Sequence, residues 1–413
     1  MVNILFIHQN FPGQFKALAP ALAQRGHRVV ALAMNRAEAV TWQGVRILPW
    51  KPARGTTPGV HPWVVDLETK VIRGEAVLEA CRVLAAQGFT PDAVVAHPGW
   101  GESLFIKTLW PQVRLGLYAE FHYASEGADT GFDPEFPVAD PVREAARLRL
   151  KNANQLLHAD LADAALSPTH WQASTYPEPF RQRITIAHDG IDTDRVRPDP
   201  SAQLALATEA GPLTLRAGQS VLTFVNRNLE PYRGYHIFLR ALPAVLARHP
   251  DLRVVLVGGD AVSYGARPAQ GGSWKQVFLA EVGGRLDLAR VHFVGQLPYG
   301  DFLTLLQVSR VHAYLTYPFV LSWSLLEAMS AGCAIVASDT APLREVIRDD
   351  HNGRLVPFFE VSAWSDTLSA LLDDAEVRAR FGAAARAEAV ARYDLQRVCL
   401  PQQVAWVEAL AAR

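Results

Sequence analysis

Short apolar runs separated by longer amphipathic segments recur along the whole chain. The first run, at 4–7, is followed by a Pro-Gly loop and a helical pattern. Similar runs lie near 29–33, 45–49, 92–96, 114–119, 162–166 and 184–187, and then near 220–225, 254–257, 291–294, 313–315 and 334–337. Strands that alternate with helices in this way indicate α/β architecture with parallel, doubly wound sheets. Ligands of such sheets bind at the carboxyl ends of the strands.

The alternation is broken between 197 and 219, where prolines and glycines accumulate. A chain of 413 residues with 49% apolar residues is too long for one ordinary core. We therefore predict a first domain at 1–196, a linker at 197–219 and a second domain at 220–394. The last helix, about 395–413, is a candidate to pack back on the first domain.

Composition excludes several classes of protein. The net charge of −1 gives no global attraction to nucleic acid. The three cysteines lie in apolar segments without a CxxC pattern, which is typical of a reduced chain without structural zinc. No apolar stretch approaches the roughly 20 residues of a membrane span. We expect a cytoplasmic protein, and peripheral contact with the inner face of the membrane is left open.

The stretch from His312 to Leu355 predicts a phosphate site. It reads as a strand, a loop and then a helix that Ser322 can cap, followed by a second strand and helix. A loop that leads into a helix N-terminus at the end of a parallel strand is suited to bind anions. Glu327 lies in the middle of that apolar helix. A carboxylate beside a phosphate site indicates a nucleotide.

Several motifs are similar to those of the family 4 (group 1) retaining nucleotide-sugar glycosyltransferases. In the second half these motifs are Arg233-Gly234, Leu256-Val-Gly-Gly-Asp260, Phe293-Val-Gly-Gln-Leu297, Leu326-Glu-Ala-Met-Ser-Ala-Gly332, Ile335-Val-Ala-Ser-Asp339 with Glu345, and Asn352-Gly353. In the first half they are Ser167-Pro168 and His188-Asp-Gly-Ile-Asp192. Each motif alone is a weak signal, but their order and spacing together are fairly specific.

The resemblance implies a GT-B fold, in which two Rossmann-like doubly wound parallel-sheet domains face a central cleft. It also implies a glycosyltransferase that moves a sugar from a nucleotide-diphosphate donor to an acceptor hydroxyl with retention of configuration. The donor would bind mainly in the second domain. The acceptor, which could be a saccharide, a lipid-linked glycan or a small molecule, would bind mainly in the first. No cofactor or metal is expected, and we interpret Asp192-Thr193-Asp194 as turn residues.

The donor-binding candidates follow from the matching motifs. Arg227 and Arg233 would hold the diphosphate, and Glu327 the ribose. The remaining candidates offer backbone groups to the distal phosphate, the base or the bound ligands: Val320, Leu321, Ser322, Trp323, Gly258, Gln296, Leu297 and Gly13. Simpler interpretations remain open, namely solvated arginines, a structural salt bridge at Glu327 and ordinary tight turns.

Three residues of the first half are catalytic candidates because they follow predicted strands. His97 ends one strand, and Glu120 and His122 end the next. Imidazole and carboxylate groups can bond a sugar hydroxyl or stabilise developing charge. For His97 and for His122, the alternative is a structural histidine whose hydrogen bonds are made within the protein. No pyridoxal-lysine signature favours a phosphorylase.

One position departs from the family pattern. The family pairs two glutamates eight positions apart; Glu327 matches the second, and Phe319 occupies the place of the first. The family's first glutamate bonds the donor sugar, but a phenyl ring cannot accept such a hydrogen bond. The alternative function is therefore a nucleotide- or sugar-binding GT-B-like protein or subunit with little or no transferase activity.

Overall fold

The computed structural model describes residues 1–208 and 211–412. They form two compact units, Met1–Gly190 with Gln396–Arg413 and Ile191–Leu395. Each unit contains one large sheet in which most neighbouring strands run parallel.

The first unit is built around an eight-stranded sheet. In sheet order its strands are β3 (Val40–Trp42), β4 (Val45–Pro49), β2 (Arg28–Ala33), β1 (Asn3–Ile7), β5 (Ala93–Ala96), β6 (Arg114–Tyr118), β7 (Ala164–Ser167) and β8 (Ile184–Ile186). Every pair is parallel except β3 with β4. The central strands are apolar on both faces because helices cover both sides of the sheet.

Six α-helices lie among the described residues of this unit. They are α1 (Leu18–Gln24), α2 (Val65–Ala86), α3 (Ile106–Leu109), α4 (Pro141–Leu161), α5 (His170–Ser174) and, from the end of the chain, α13 (Leu400–Ala411). Asp140 caps α4 by accepting a hydrogen bond from Arg143 N at 3.0 Å. Helix α13 packs on α1 and on β6, where its Trp406 lies over Gly116. A π-helical turn, Leu395–Cys399, precedes it.

The second unit contains a six-stranded parallel sheet. In sheet order its strands are β13 (Val291–Phe293), β12 (Arg253–Gly259), β11 (Val221–Asn228), β14 (Val311–Tyr314), β15 (Ala334–Ser338) and β16 (Arg354–Val356). The helices are α6 (Tyr235–Arg248), α7 (Trp274–Val282), α8 (Tyr299–Val308), α9 (Trp323–Ser330), α10 (Ala341–Arg344), α11 (Val361–Asp373) and α12 (Ala375–Tyr393). The strands that precede each candidate loop are buried, so those loops start from a rigid edge.

The segment predicted as a linker is part of the second unit instead. Strands β9 (Gln203–Thr208) and β10 (Gly211–Arg216) form an antiparallel hairpin. Leu204, Leu206 and Leu215 are buried in the core of the second unit, which packs both strands on that unit. Residues 209 and 210 of the predicted linker lie outside the described residues. Of the residues that suggested a linker, Gly211 and Pro212 are the first residues of β10, and Pro198, Pro200 and Gly218 flank the hairpin.

The second unit also begins earlier than the predicted position 220. Ile191 and Val196 are buried in its core, and Ile191 N donates to Tyr393 O at 2.7 Å. Thr193 is buried against Asp394, and Asp192 Oδ1 accepts a hydrogen bond from Arg195 N. Asp192-Thr193-Asp194 therefore belongs to a turn in which the side chains of Asp192 and Thr193 make hydrogen bonds within the protein. Among the described helices, no segment is both long and apolar enough to cross a bilayer.

Candidate functional site

The candidates of the second unit converge at the carboxyl ends of β11 and β14. After β11 a short turn, Pro231–Arg233, leads to Gly234, whose φ of 67° places it in the left-handed region. A Cβ atom at position 234 would lie 2.3 Å from Leu315 Cβ. Glycine is required here by both the dihedral and this close approach. The contact brings Arg233 against the end of β14.

Arg233 is held in a buried polar site. Its Nη1 donates to Thr316 Oγ1 at 2.7 Å, to Val320 O at 3.2 Å and to Tyr314 Oη at 3.4 Å. The guanidinium carbon lies 5.0 Å from the centre of the Tyr264 ring. Only 4% of the residue is exposed. The prediction of a cation at this strand end fits the geometry, but Tyr264 covers the cation.

The start of α9 is tied to the same site. Tyr314 Oη, which accepts from Arg233, also accepts from Ser322 N at 3.1 Å. The Ser322 hydroxyl caps the helix by accepting from Ser324 N at 3.4 Å. Val320, Leu321 and Trp323 belong to the same loop and helix start. The structure therefore brings the predicted cation and the predicted helix N-terminus together.

Glu327 lies on α9 and is largely buried. Its Oε1 accepts a hydrogen bond from the Tyr299 hydroxyl at 2.6 Å. Burial, followed by the Glu327 charge, raises the pKa of Tyr299, so this phenol remains a donor at neutral pH. A neutral hydroxyl thus holds the Glu327 carboxylate in place. A ribose hydroxyl can donate a hydrogen bond to a carboxylate in the same way.

Phe319 packs within a group of aromatic rings next to Arg233. Its ring centre is 5.2 Å from that of Tyr264 and 5.7 Å from that of Tyr232. Tyr232 in turn packs on Tyr317 at 4.7 Å. Phe319 is 5% exposed. The place of the family's first glutamate is therefore occupied by an apolar, well-packed side chain.

The remaining donor candidates lie around the ends of β11 and β12. Arg227 is exposed at the end of β11. Gly258 N donates to Gly295 O at 2.9 Å, which joins two of the predicted base-contacting loops. Gln296 is exposed, whereas Leu297 is partly buried against the core. The ordinary turn interpretation fits Gly258 as well as a ligand role does.

The first unit has a separate cluster of polar side chains at the ends of β1, β5 and β6. His97 Nε2 lies 3.3 Å from Glu120 Oε2, and Gln14 Nε2 donates to Glu120 Oε1 at 3.5 Å. Gln14 Oε1 is 2.8 Å from His8 Nε2. Glu120 is the solvent-accessible member, with 41% of its side chain exposed. This carboxylate is the group that an incoming hydroxyl could reach.

Two backbone amides select the tautomers within this cluster. Asn10 N donates to His8 Nδ1 at 3.0 Å, and Gly99 N donates to His97 Nδ1 at 3.1 Å. In the neutral form each imidazole therefore carries its proton on Nε2, which bonds to Gln14 in His8 and lies near Glu120 without a hydrogen bond in His97. Burial, followed by the charge of His97, lowers the pKa of His8 to about 4. His8 is accordingly neutral at pH 7.

Gly13 lies in this cluster through its contact with His8. It has a φ of 47°, and a Cβ atom there would be 2.4 Å from the His8 imidazole. The loop can therefore approach His8 only because residue 13 lacks a side chain.

His122 does not join His97 and Glu120. Its backbone N donates to Thr175 Oγ1 at 3.0 Å, and its ring lies 5.7 Å from that of Tyr176. It lines a different cavity of about 200 Å³ beside α4. Strand β6 ends at Tyr118, so the irregular backbone that carries Glu120 and His122 does not keep these two side chains on one face.

Sequence reasoning did not identify several members of these two sites. His8 and Gln14 frame Glu120, and Tyr314 and Thr316 hold Arg233. His8 could have been found, because it follows β1 as His97 follows β5. The hydroxyls of Tyr314 and Thr316 gave no signal, since they lie in an apolar run that reads as a buried strand.

Comparisons with known proteins agree with this architecture. Over 100% of both chains, the structure is similar to sucrose-phosphate synthase from Thermosynechococcus elongatus, with a TM-score of 0.72 and 17% identity. It is also similar to Anabaena HepE in complex with UDP and glucose, with a TM-score of 0.63 and 17% identity over the same coverage. The fold is thus the two-domain GT-B fold.

Two family models match the chain in succession. The glycosyl transferase family 4 group matches residues 25–196, and the glycosyl transferases group 1 matches residues 209–388. The chain belongs to the family 4, group 1 glycosyltransferases.

Curated relatives are similar to a smaller part of this chain than the two family models together. A phosphatidyl-myo-inositol mannosyltransferase of Mycobacterium tuberculosis is 36% identical over 43% of this chain and 44% of its own length. A D-inositol 3-phosphate glycosyltransferase of Corynebacterium urealyticum is 27% identical over 53% of this chain and 50% of its own. The chain thus spans about half the length of the curated relatives that it matches.

Proposed function

We propose that this protein is a glycosyltransferase that moves a sugar from a nucleotide-diphosphate donor to an acceptor hydroxyl. The observation that supports this most strongly is the position of Arg233. Its guanidinium is bonded to the same hydroxyl, Tyr314 Oη, as the first turn of α9, and α9 carries Glu327. A cation, a helix N-terminus and a carboxylate are the groups that a diphosphate and a ribose require.

Charge develops on the leaving diphosphate when the glycosidic bond breaks. On this proposal Arg233 and the amides at the start of α9 offset that charge, with Arg227 as a second cation. Tyr264 covers Arg233, so the segment that carries it must move when the diphosphate enters. Transfer occurs with retention, without a bound metal, and the leaving phosphate accepts the proton of the acceptor hydroxyl.

The first unit would supply contacts to the acceptor through the Glu120 carboxylate. Gln14 Nε2 donates to one oxygen of this carboxylate, and the His97 ring lies 3.3 Å from the other. An exposed carboxylate held in this way can accept a hydrogen bond from a sugar or alcohol hydroxyl. The curated relatives are named for acceptors that contain inositol, so we include polyols among the acceptors to be tested.

Phe319 supports a second candidate function, nucleotide or sugar binding with little transfer. Its buried ring occupies the position where the family places a carboxylate for the donor sugar. A missing hydrogen bond to the sugar would weaken sugar positioning without removing the nucleotide site.

One experiment separates the two candidates. The protein is incubated with a panel of UDP-, GDP- and ADP-sugars, with and without polyol and saccharide acceptors, and nucleoside diphosphate release is measured. Release that depends on one donor and increases with an acceptor supports transfer. Nucleotide binding without release from any donor would favour the second candidate.

A further inference from the structure

A positively charged cavity lies in the second unit, at the edge of the sheet opposite to the proposed donor site. Its volume is about 320 Å³, and it lies where β14 and β15 begin. Its lining includes Ser309, Arg310, Gly332, Ala334, Ala375 and Arg378. Arg310 immediately precedes β14, whereas Thr316, a partner of Arg233, lies just beyond its other end. The cavity is therefore separate from the proposed donor site.

The lining of this cavity carries two positive charges and no carboxylate among the described residues. Arg378 Nη1 donates to Leu371 O at 2.7 Å and to Leu372 O at 2.5 Å. These bonds to the last turn of α11 fix the orientation of its planar guanidinium. Burial, followed by the nearby charge of Arg310, lowers the pKa of Arg378. The two cations are thus close enough to oppose each other electrostatically.

Arg310 is half-buried, and no carboxylate of the described chain lies within 4 Å of its guanidinium nitrogens. The charges of Asp374 and Asp373 act on Arg378 in the opposite direction to that of Arg310, but both carboxylates also have other partners. Asp374 Oδ1 accepts from Val377 N at 2.9 Å, and Asp373 lies 3.6 Å from His249. Two arginines held together without an acidic partner between them form a ready site for an anion.

The helix that borders the cavity carries one of the two arginines. Helix α12 begins at Ala375, and Ala375, Arg378 and Ala379 near its start face the cavity. The Asp374 cap offsets the partial positive charge of this helix N-terminus, so the two guanidinium groups are the cations that line the cavity. We propose that this cavity binds a phosphoryl group between Arg310 and Arg378, as part of a small phosphorylated metabolite or as inorganic phosphate.

Size and lining support this ligand class over a larger or neutral one. A volume of about 320 Å³ has room for a hexose phosphate beside the two guanidinium groups. The guanidinium fork matches the oxygens of a phosphoryl group in pairs. The site does not depend on the proposed transferase activity, because it uses none of the residues assigned to the donor.

The proposal is tested by isothermal titration calorimetry at constant ionic strength, with inorganic phosphate and glucose 6-phosphate as probes and glucose as the neutral reference. The variant is Arg310→Gln, for which the structure describes no hydrogen bond that the fold would lose. The matched control is Arg285→Gln, which removes the same charge from an exposed position of the same unit. Arg310→Lys keeps the charge without the fork.

We expect Arg310→Gln to weaken phosphate binding about tenfold or more, as for the loss of a charged hydrogen bond. Arg285→Gln should bind as the wild type does, and Arg310→Lys should lie between them. Tighter binding of glucose 6-phosphate than of phosphate identifies a phosphorylated metabolite, and equal binding identifies free phosphate. The proposal would be overturned if Arg310→Gln bound each probe with the same affinity as the wild type does. It would also be overturned if the wild type bound neither probe. A thermal unfolding curve for each variant confirms that it is folded.

Discussion

At the scale of single residues, Glu327 offers the most specific test of nucleotide recognition. Glu327→Gln keeps the size of the side chain and an oxygen for the Tyr299 hydroxyl, but it removes the charge. We expect the affinity for nucleoside diphosphates to fall by about 1.5–3 kcal/mol, because hydrogen bonds to a charged group are the stronger ones.

The control for Glu327 is Tyr299→Phe. This variant removes the hydroxyl that holds the carboxylate and keeps the charge of Glu327. It should lower stability by about 1 kcal/mol and affect nucleotide affinity less than Glu327→Gln does. Calorimetric titration with UDP, GDP and ADP measures both variants. Equal affinities for wild type and Glu327→Gln would remove Glu327 from the ribose site.

Gly13 gives a residue-scale test of the first-unit cluster. Gly13→Ala places a methyl group 2.4 Å from the His8 ring, in addition to the cost of a left-handed dihedral. Gly26→Ala has the dihedral cost alone, since its φ is 87° and no atom lies within 4 Å of the position that a Cβ would take. We expect Gly13→Ala to be less stable than Gly26→Ala by at least about 1 kcal/mol in urea unfolding. Equal stabilities would show that the His8 loop is not tightly packed.

At the scale of elements, one carboxylate holds the segment that covers Arg233. Glu230 is 1% exposed and accepts hydrogen bonds from the backbone N atoms of Ser263, Tyr264 and Gly265 at 3.0–3.3 Å. Tyr264 from that segment lies over Arg233. Glu230 therefore sets how firmly the segment at 261–272 closes on the proposed diphosphate site.

We predict that Glu230→Gln loosens this segment. Its backbone amides should exchange hydrogen about tenfold faster, because the carboxylate acceptor is lost, while α9 keeps its protection. Hydrogen–deuterium exchange with peptide resolution measures this. Glu281→Gln is the control, since Glu281 pairs with Arg240 at the surface and not with the segment. Unchanged exchange at 263–265 would contradict the account of the Glu230 contacts.

Elements of the fold differ in how far the sequence predicts them. The strand and helix alternation and most strand positions follow from apolar runs such as Ala93–Ala96 and Ala334–Ser338, since both faces of a parallel sheet are buried. The hairpin of β9 and β10 does not follow, because Gly211 and Pro212 at the start of β10, with Pro198, Pro200 and Gly218 on either side, are more typical of a linker. Short-range patterns also do not show which side chains meet across elements, as with Tyr314 and Arg233 or His8 and Gln14.

At the scale of the whole molecule, acid should destabilise the first unit. Burial lowers the pKa of His8, His158 and His188 to about 4, compared with 6.5 in the unfolded chain. Between pH 6.5 and 4 the unfolded state therefore binds more protons than the folded state. Stability is fully present above pH 6.5 and falls with decreasing pH, by about 1.4 kcal/mol per unit for each histidine.

His188→Asn tests this pH dependence. Asparagine can accept from Gly190 N as His188 Nδ1 does, but it does not titrate. The loss of stability between pH 7 and pH 5, from urea unfolding at both values, should be smaller in this variant by between about 1 and 2 kcal/mol. An unchanged difference between the two pH values would show that His188 is not neutral in the folded protein.

Arg233 is the central residue of the nucleotide-sugar donor site that we propose for the second unit. The most direct measurement is calorimetric titration of wild type and Arg233→Ala with nucleoside diphosphates up to millimolar concentration. We predict saturable binding of at least one nucleotide by the wild type. In folded Arg233→Ala the affinity should be lower by about 1.5–3 kcal/mol, since charged hydrogen bonds are lost. No binding of any nucleotide by the wild type, or equal affinity in both proteins, would contradict the account.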